Sequence, residues 1–343
     1  MKDPFRNFNQ FKIDPLSEIR NAGIVTNGEV YWVSSTADSD HTARIDALGR
    51  KVVRIGLQEA IDEVETDQND YVLVIPTDGG TVRDLGTAVD VNEDRVHILG
   101  VGYKPAPMAY NGLTFRGYAA AAIDTELVAV TGAGVELGGL KFLGTSGTAA
   151  GGTITSHLLV GTAASGTPHD LWVHDVHVEN TQAAAANGTA PILRISGDVA
   201  GGIQGLRFDD CWMGDFSWAP TALITVAGTA GPTRPVFNEC TFVLNAQATS
   251  SSFALLGTGV TEVVSFDRCK FINVRAGTLP ASAVTGAILV DNPVIMTECV
   301  GLNVSALGTD TEVFTAPNQA GTAGAGAHNP YIAFLGSAGV TVA

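Results

Sequence analysis

Phe208-Asp-Asp-Cys211-Trp-Met213, Phe237-Asn-Glu-Cys240-Thr-Phe242, Phe266-Asp-Arg-Cys269-Lys-Phe271 and Met296-Thr-Glu-Cys299-Val-Gly301 are one phrase written four times. Its cysteines stand 29, 29 and 30 residues apart. The phrase continues upstream with other apolar residues in the cysteine place: Val173-His-Asp-Val176-His-Val178, Leu137-Gly-Gly-Leu140-Lys-Phe142 and Ile98-Leu-Gly-Val101-Gly-Tyr103. Self-similarity at such a period marks a solenoid, and short, β-rich, glycine-bounded units exclude helical repeats. Strand alternation puts Cys269 and Phe271 on one face. Phe266 lies three before Cys269, so the alternation must break, and the two residues between form a corner. Coils stacked at about 4.8 Å then carry like residues in ladders along a narrow core.

A second ladder runs between these units: Val130-Thr-Gly132, Leu159-Val-Gly161, Ile195-Ser-Gly197, Val226-Ala-Gly228, Leu255-Leu-Gly257 and Leu289-Val-Asp291. In each, an apolar residue stands two before a turn residue, and insertions fall between the ladders. The cysteines read as reduced core residues, since a free cysteine packs as a small hydrophobe. No CxxC spacing favours a metal, and disulfides are the weaker alternative.

Composition narrows the function. The 343 residues carry Lys+Arg 19 against Asp+Glu 35, a net charge of −16, which leaves no cation surplus for a nucleic-acid backbone. Apolar residues make 45 %, yet no run of 18 could span a membrane. The opening MKDPFRNFNQFK has no apolar core of a secretory signal. The first hundred residues hold 10 basic and 18 acidic side chains, the other 243 only 9 and 17. That long second part alternates apolar runs with loops such as GTSGTAAGGTITS (144–156), which suit a repeated scaffold.

The chain reads in four parts. Residues 1–28, with Phe5, Phe8 and Phe11 among Lys2, Arg6 and Lys12, form an extended docking arm. Residues 29–85 form a cap: a strand at Glu29–Ser34, a short helix with Leu57, Ala60, Ile61 and Val64 on one face, and a buried strand at Tyr71–Ile75. Residues 86–306 are the solenoid, and 307–343 a C-terminal tail or cap.

On these elements (EVYWVS at 29–34, GLQEAIDEVE at 56–65, YVLVIP at 71–76, RVHILGVG at 95–102, then the coil phrase) the sequence resembles the pectate-lyase-like right-handed parallel β-helix proteins of tailed-phage virions. The resemblance covers about residues 29–306. It implies an all-β fold whose amphipathic helix closes the first coil, where core and strand edges would otherwise face water.

Three groups could carry chemistry. The first is the corner ladder of Asp175, Asp209, Asp210, Glu239, Asp267 and Glu298, since glycoside hydrolysis needs paired carboxylates. Polygalacturonase-like members add an Asn-Thr-Asp coil, a Gly-His-Gly and an Arg-x-Lys motif, none of which stands here. Pectate lyases need an arginine base, and Arg268 lies in the ladder. Asp and Asn also favour tight corners on their own account, because they tolerate left-handed backbone, and Arg268 relieves repulsion between stacked acids. The second group is His169, His174 and His177 beside Asp170 and Asp175, read as a solvated surface. The third is Trp172, Trp212, Phe216 and Trp218, a sugar platform or a subunit interface.

The loops are mostly Ala, Gly, Thr and Ser, poor in acids and bases. The reading therefore assigns no catalytic, cofactor-binding or metal-ligating residue. It expects a non-enzymatic structural protein of a phage particle: a capsid decoration protein, trimeric, docking on the major capsid protein or another virion protein through residues 1–28. The alternative is a tailspike-like polysaccharide depolymerase or lyase, or a glycan-binding tail appendage.

Overall fold

The computed structural model describes residues 28–33, 51–53, 56–75, 83–85, 88–101, 113–118, 126–145, 156–161, 168–180, 191–196, 203–216, 222–227, 234–245, 252–256, 264–274, 284–286, 294–302, 313–316, 334–336 and 339–341. Residues 1–27 of the docking arm, most of the C-terminal tail, Trp218, Leu289 and Asp291 lie outside them. Among the described residues the strands form three sheets of eleven, ten and seven strands. Seven successive coils, from Asp70–Val74 to Val284–Gly286, each contribute one strand to each sheet, and the pairs are parallel except Phe334–Gly336 with Gly339–Thr341. This is the expected right-handed parallel β-helix.

The register turns the repeated phrase into columns. Ile98, Leu137, Val173, Phe208, Phe237, Phe266 and Met296 are successive partners on the inner face of the first sheet. Phe115, Phe142, Val178, Met213, Phe242, Phe271 and Gly301 do the same in the second. Aromatic rings stack along the first column, with centroids 4.8 Å apart for Phe208–Phe237 and 4.9 Å for Phe237–Phe266. The four cysteines are free and buried. The Cys240 thiol donates to the carbonyls of Phe208 and Asn238, and burial pushes the thiols of Cys211, Cys240 and Cys269 far up.

Three expectations need correction. The corner is made by one residue, not two: Asp267 still ends its strand, and Arg268 alone takes left-handed backbone at φ 50°. The column Asp175, Asp210, Glu239, Arg268, Glu298 has φ of 50–54° throughout, with Gly139 at 66° above it. A second left-handed column, unforeseen, stands at the other end of the same strands: Arg95, Gly134, Asp170, Gly205 and Arg234.

The glycine-anchored ladder was misaligned by one residue in two coils. Val130 pairs with Val160 rather than Leu159, and Val226 with Leu256 rather than Leu255, because Gly161 follows its core residue directly whereas Gly132 stands two beyond. A one-residue slip reverses the face. In the 98–103 phrase, Val101 leaves the cysteine column. Leu113 fills that place, its carbonyl accepting from Lys141 N, and Phe115 sits under Phe142. Val101 packs instead in a small outer cluster with Trp32, Tyr71, Leu73 and Ile75.

At the N-terminal end Val30–Val33 and Asp70–Val74 are neighbouring strands, and Lys51–Val53 extends the sheet beyond them. The helix α1 (Leu57–Asp62) buries Leu57, Ala60 and Ile61 against the strands Val30–Val33 and Val89–Val91. Among the described residues no helix is long and apolar enough to cross a membrane.

Candidate functional site: the outer face of the first sheet

The residues flanking each core position of the first sheet point outward. The register therefore aligns Tyr71, His97, Glu136, Trp172, Arg207 and Val236 in one outer column. Leu99, Gly138, His174, Asp209, Asn238 and Asp267 form the next. These columns hold a connected polar chain.

Glu136 lies at its centre. His97 Nδ1 stands 2.5 Å from Oε2 and His174 Nε2 2.9 Å from Oε1. The other nitrogen of His174, Nδ1, is 3.2 Å from Asp175 Oδ2. Tyr71 stacks on His97 at 4.4 Å, and Trp172 lies against His174 at 4.3 Å. The Trp172 indole donates to Asp209 Oδ2 at 2.7 Å, Arg207 Nε donates to the same oxygen at 2.6 Å, and Asn238 donates to Oδ1 at 2.7 Å.

Burial raises the Glu136 pKa, but the hydrogen bonds and charges of His174 and His97 outweigh it and bring it down to about 2. The Glu136 hydrogen bond raises His174, partly offset by burial and helped by Asp175. Gly138 makes the arrangement possible: a Cβ there would come within 2.5 Å of His174 Nε2 and Cε1 and 2.8 Å of Leu99. Down the face, Arg268 bridges Glu239 and Asp267, each at 2.9 Å, the relief of repulsion expected of it.

The structure separates the sequence's acid ladder into two columns. Asp209 and Asp267 end strands on the outer face, whereas Asp175, Asp210, Glu239 and Glu298 are corner residues. Asp209 and Asp210 are thus successive residues in different backbone conformations, not a converging pair. The histidines are not a solvated surface. His174 is half-buried and in the polar chain, and His177 is buried on the second sheet beside Trp212. His169 is half-buried, with an Nδ1 that is buried and has no hydrogen-bond partner. Among the described residues no group of three or more His, Cys, Asp or Glu could hold a metal ion. Of the aromatic group, Trp172 and Phe216 are exposed, at 41 % and 48 %.

Glu136, His97 and Arg207 were missed. The signal was present, since each stands directly before a residue of the core ladder, at Leu137, Ile98 and Phe208. Reading the residue before each core position as a column of its own brings them together.

No known family profile and no curated protein matches the chain. Among solved structures, the pectin methylesterase PemA from Erwinia chrysanthemi is similar over 83 % of this chain and 82 % of its own, with a TM-score of 0.51 and 14 % identity. A second pectin methylesterase structure, a mutant in complex with a hexasaccharide, has the same coverage and identity and a TM-score of 0.48. At that identity the likeness is one of fold. The chain is a right-handed parallel β-helix protein.

Proposed function

We propose that this chain is a non-enzymatic structural protein of a phage particle, a capsid decoration protein. It assembles as a trimer and docks on the major capsid protein or another virion protein through residues 1–28. The observation that carries the reading is how the carboxylates of the outer face are used. Glu136 is held between two histidines, Asp209 takes three donors, and Asp267 and Glu239 share Arg268. A glycosidase acid must keep its proton near neutral pH, which takes a raised pKa. The displaced carboxylate of this face, Glu136, moves the other way. Such a face stiffens a shaft, and loops of Ala, Gly, Thr and Ser suit close packing between copies. Deleting residues 1–28 is expected to abolish incorporation into particles while leaving β-rich circular dichroism intact; normal incorporation overturns the proposal.

A second reading, a polysaccharide-acting tail appendage, is favoured by Trp172. Its exposed ring stands beside Arg207 and Asp209 on a fold shared with pectin methylesterases. Under this reading, sugar or methanol release across a polysaccharide panel is lost in Asp209→Ala. Glycan binding without release, abolished in Trp172→Ala, identifies a lectin instead.

A further inference from the structure

His174 has a carboxylate at each ring nitrogen: Glu136 Oε1 at 2.9 Å from Nε2 and Asp175 Oδ2 at 3.2 Å from Nδ1. A neutral imidazole donates from one nitrogen only, so two carboxylate acceptors are both satisfied only by the imidazolium. Its ring lies against Trp172, and a cation against an indole face is attracted by the ring quadrupole. Trp172 in turn reaches the next coil by donating to Asp209. One proton thus fastens the coils of Glu136 and His174, and Trp172 carries the contact on to the coil of Asp209.

We propose that His174 is a proton-operated clasp on the outer face of the first sheet: as the imidazolium it fastens Glu136, Asp175 and Trp172, and on losing its proton it releases the Trp172 ring on that side, leaving the indole held by Asp209 alone. The device is independent of the reading of the chain as a virion protein. Its consequence is that whatever contacts Trp172 meets a ring held from two sides while His174 is protonated and one held only through Asp209 once the proton is lost.

The surroundings favour the proton. From the preceding coils the groups facing the clasp are Glu136 and, across it, His97, on which Tyr71 stacks. From its own coil they are Trp172 and Asp175. From the following coil they are Asp209 and Arg207, which pair with each other. His97 shares Glu136 but not its oxygen, so the two histidines do not compete for one lone pair. The raised pKa of His174, set first by Glu136, agrees with the geometry. Gly138 is the second observation. The place a Cβ would take is occupied by the imidazole, so the backbone is shaped to receive it.

The test is a titration of tryptophan fluorescence in the full chain between pH 5 and 9. Protonated histidine against an indole quenches it, so emission rises with a midpoint above the ordinary histidine value of about 6.5. The step disappears in His174→Gln and in Trp172→Phe, and its midpoint falls in Glu136→Gln. Gly138→Ala, which leaves every ionisable group in place, lowers the midpoint as well. A parent titration without a step, one centred at or below the ordinary value, or a step that survives His174→Gln overturns the clasp. If His174→Gln fails to fold, the Glu136→Gln and Gly138→Ala midpoints decide, and a midpoint unchanged in both overturns it.

Discussion

Residues in the left-handed region explain why the corner of every coil but that of Arg268 is spelled with Asp, Glu or Gly. A side chain there costs about 1 kcal/mol, least for short polar ones that bond locally and most for β-branched ones. Glu298, at φ 51°, is exposed, between the half-buried Thr297 and the buried Cys299. Glu298→Gly is expected to leave the thermal midpoint unchanged or raise it, because relief of backbone crowding offsets the added freedom of the unfolded chain. Glu298→Val is expected to lower stability by about 1–2 kcal/mol. A melt in which Val is tolerated and Gly is not would contradict the assignment. The core column behaves differently: Phe237 stacks between Phe208 and Phe266 and meets Phe242 edge-on at 5.9 Å. Phe237→Ala should therefore cost about 3–5 kcal/mol in urea denaturation. Both kinds of position were legible in the sequence, one by its turn chemistry and the other by its repeat. The half-buried His174 was not, because burial on an outer face depends on what the next coils place beside it.

At the scale of elements, the short helix does more than cover the first coil. Gln58, on α1, donates from Nε2 to the Asp90 carbonyl at 3.2 Å and accepts from the Asp90 N–H at 2.6 Å. Its amide thus pairs as a peptide group would with Val89–Val91, the terminal strand of the third sheet. A second donation, to Asp62 at 2.7 Å, holds the amide in place. An unpaired edge invites another chain, so Gln58→Leu is expected to promote concentration-dependent association, read by light scattering. The loss of monomer stability should be only about 1 kcal/mol. Association equal to that of the parent would show that the edge is protected otherwise. The helix itself was readable from its apolar spacing. The amide pairing was not, since Gln58 and Asp90 are 32 residues apart and no repeat links the cap to the first full coil. The register of the third sheet was misread for a related reason. Its glycines mark turns, whereas the strands are held in line by Val160 and Val226 inside them.

At the scale of the molecule, a solenoid's stability is close to a sum of coils and their interfaces, so protons bound on different sheets act separately. Two histidines oppose each other. His174, with a raised pKa, adds stability that is complete below about 6.5 and is lost as pH rises through its folded value. His157, fully buried against Gly144, is pulled down to about 4 by burial, partly countered by the Pro191 backbone. Its unfolded form takes up a proton below about 6.5 while the folded form stays neutral, so folding loses stability from there down to about pH 4. A difference of that size corresponds to roughly 3 kcal/mol. Glu136, whose folded value is about 2, contributes above its ordinary 4.5 and is lost as pH falls toward 2. The thermal midpoint of the whole chain should therefore decline from pH 6.5 to 4 through His157 and fall further below 4.5 through Glu136. A polar, non-titrating replacement separates the two, with His157→Gln removing the first decline and leaving the second. A midpoint that falls between pH 6.5 and 4.5 as steeply in that variant as in the parent would mean that His157 takes up its proton without unfolding. The third sheet would then have to open around a charged imidazole where Gly144 leaves no room for a Cβ.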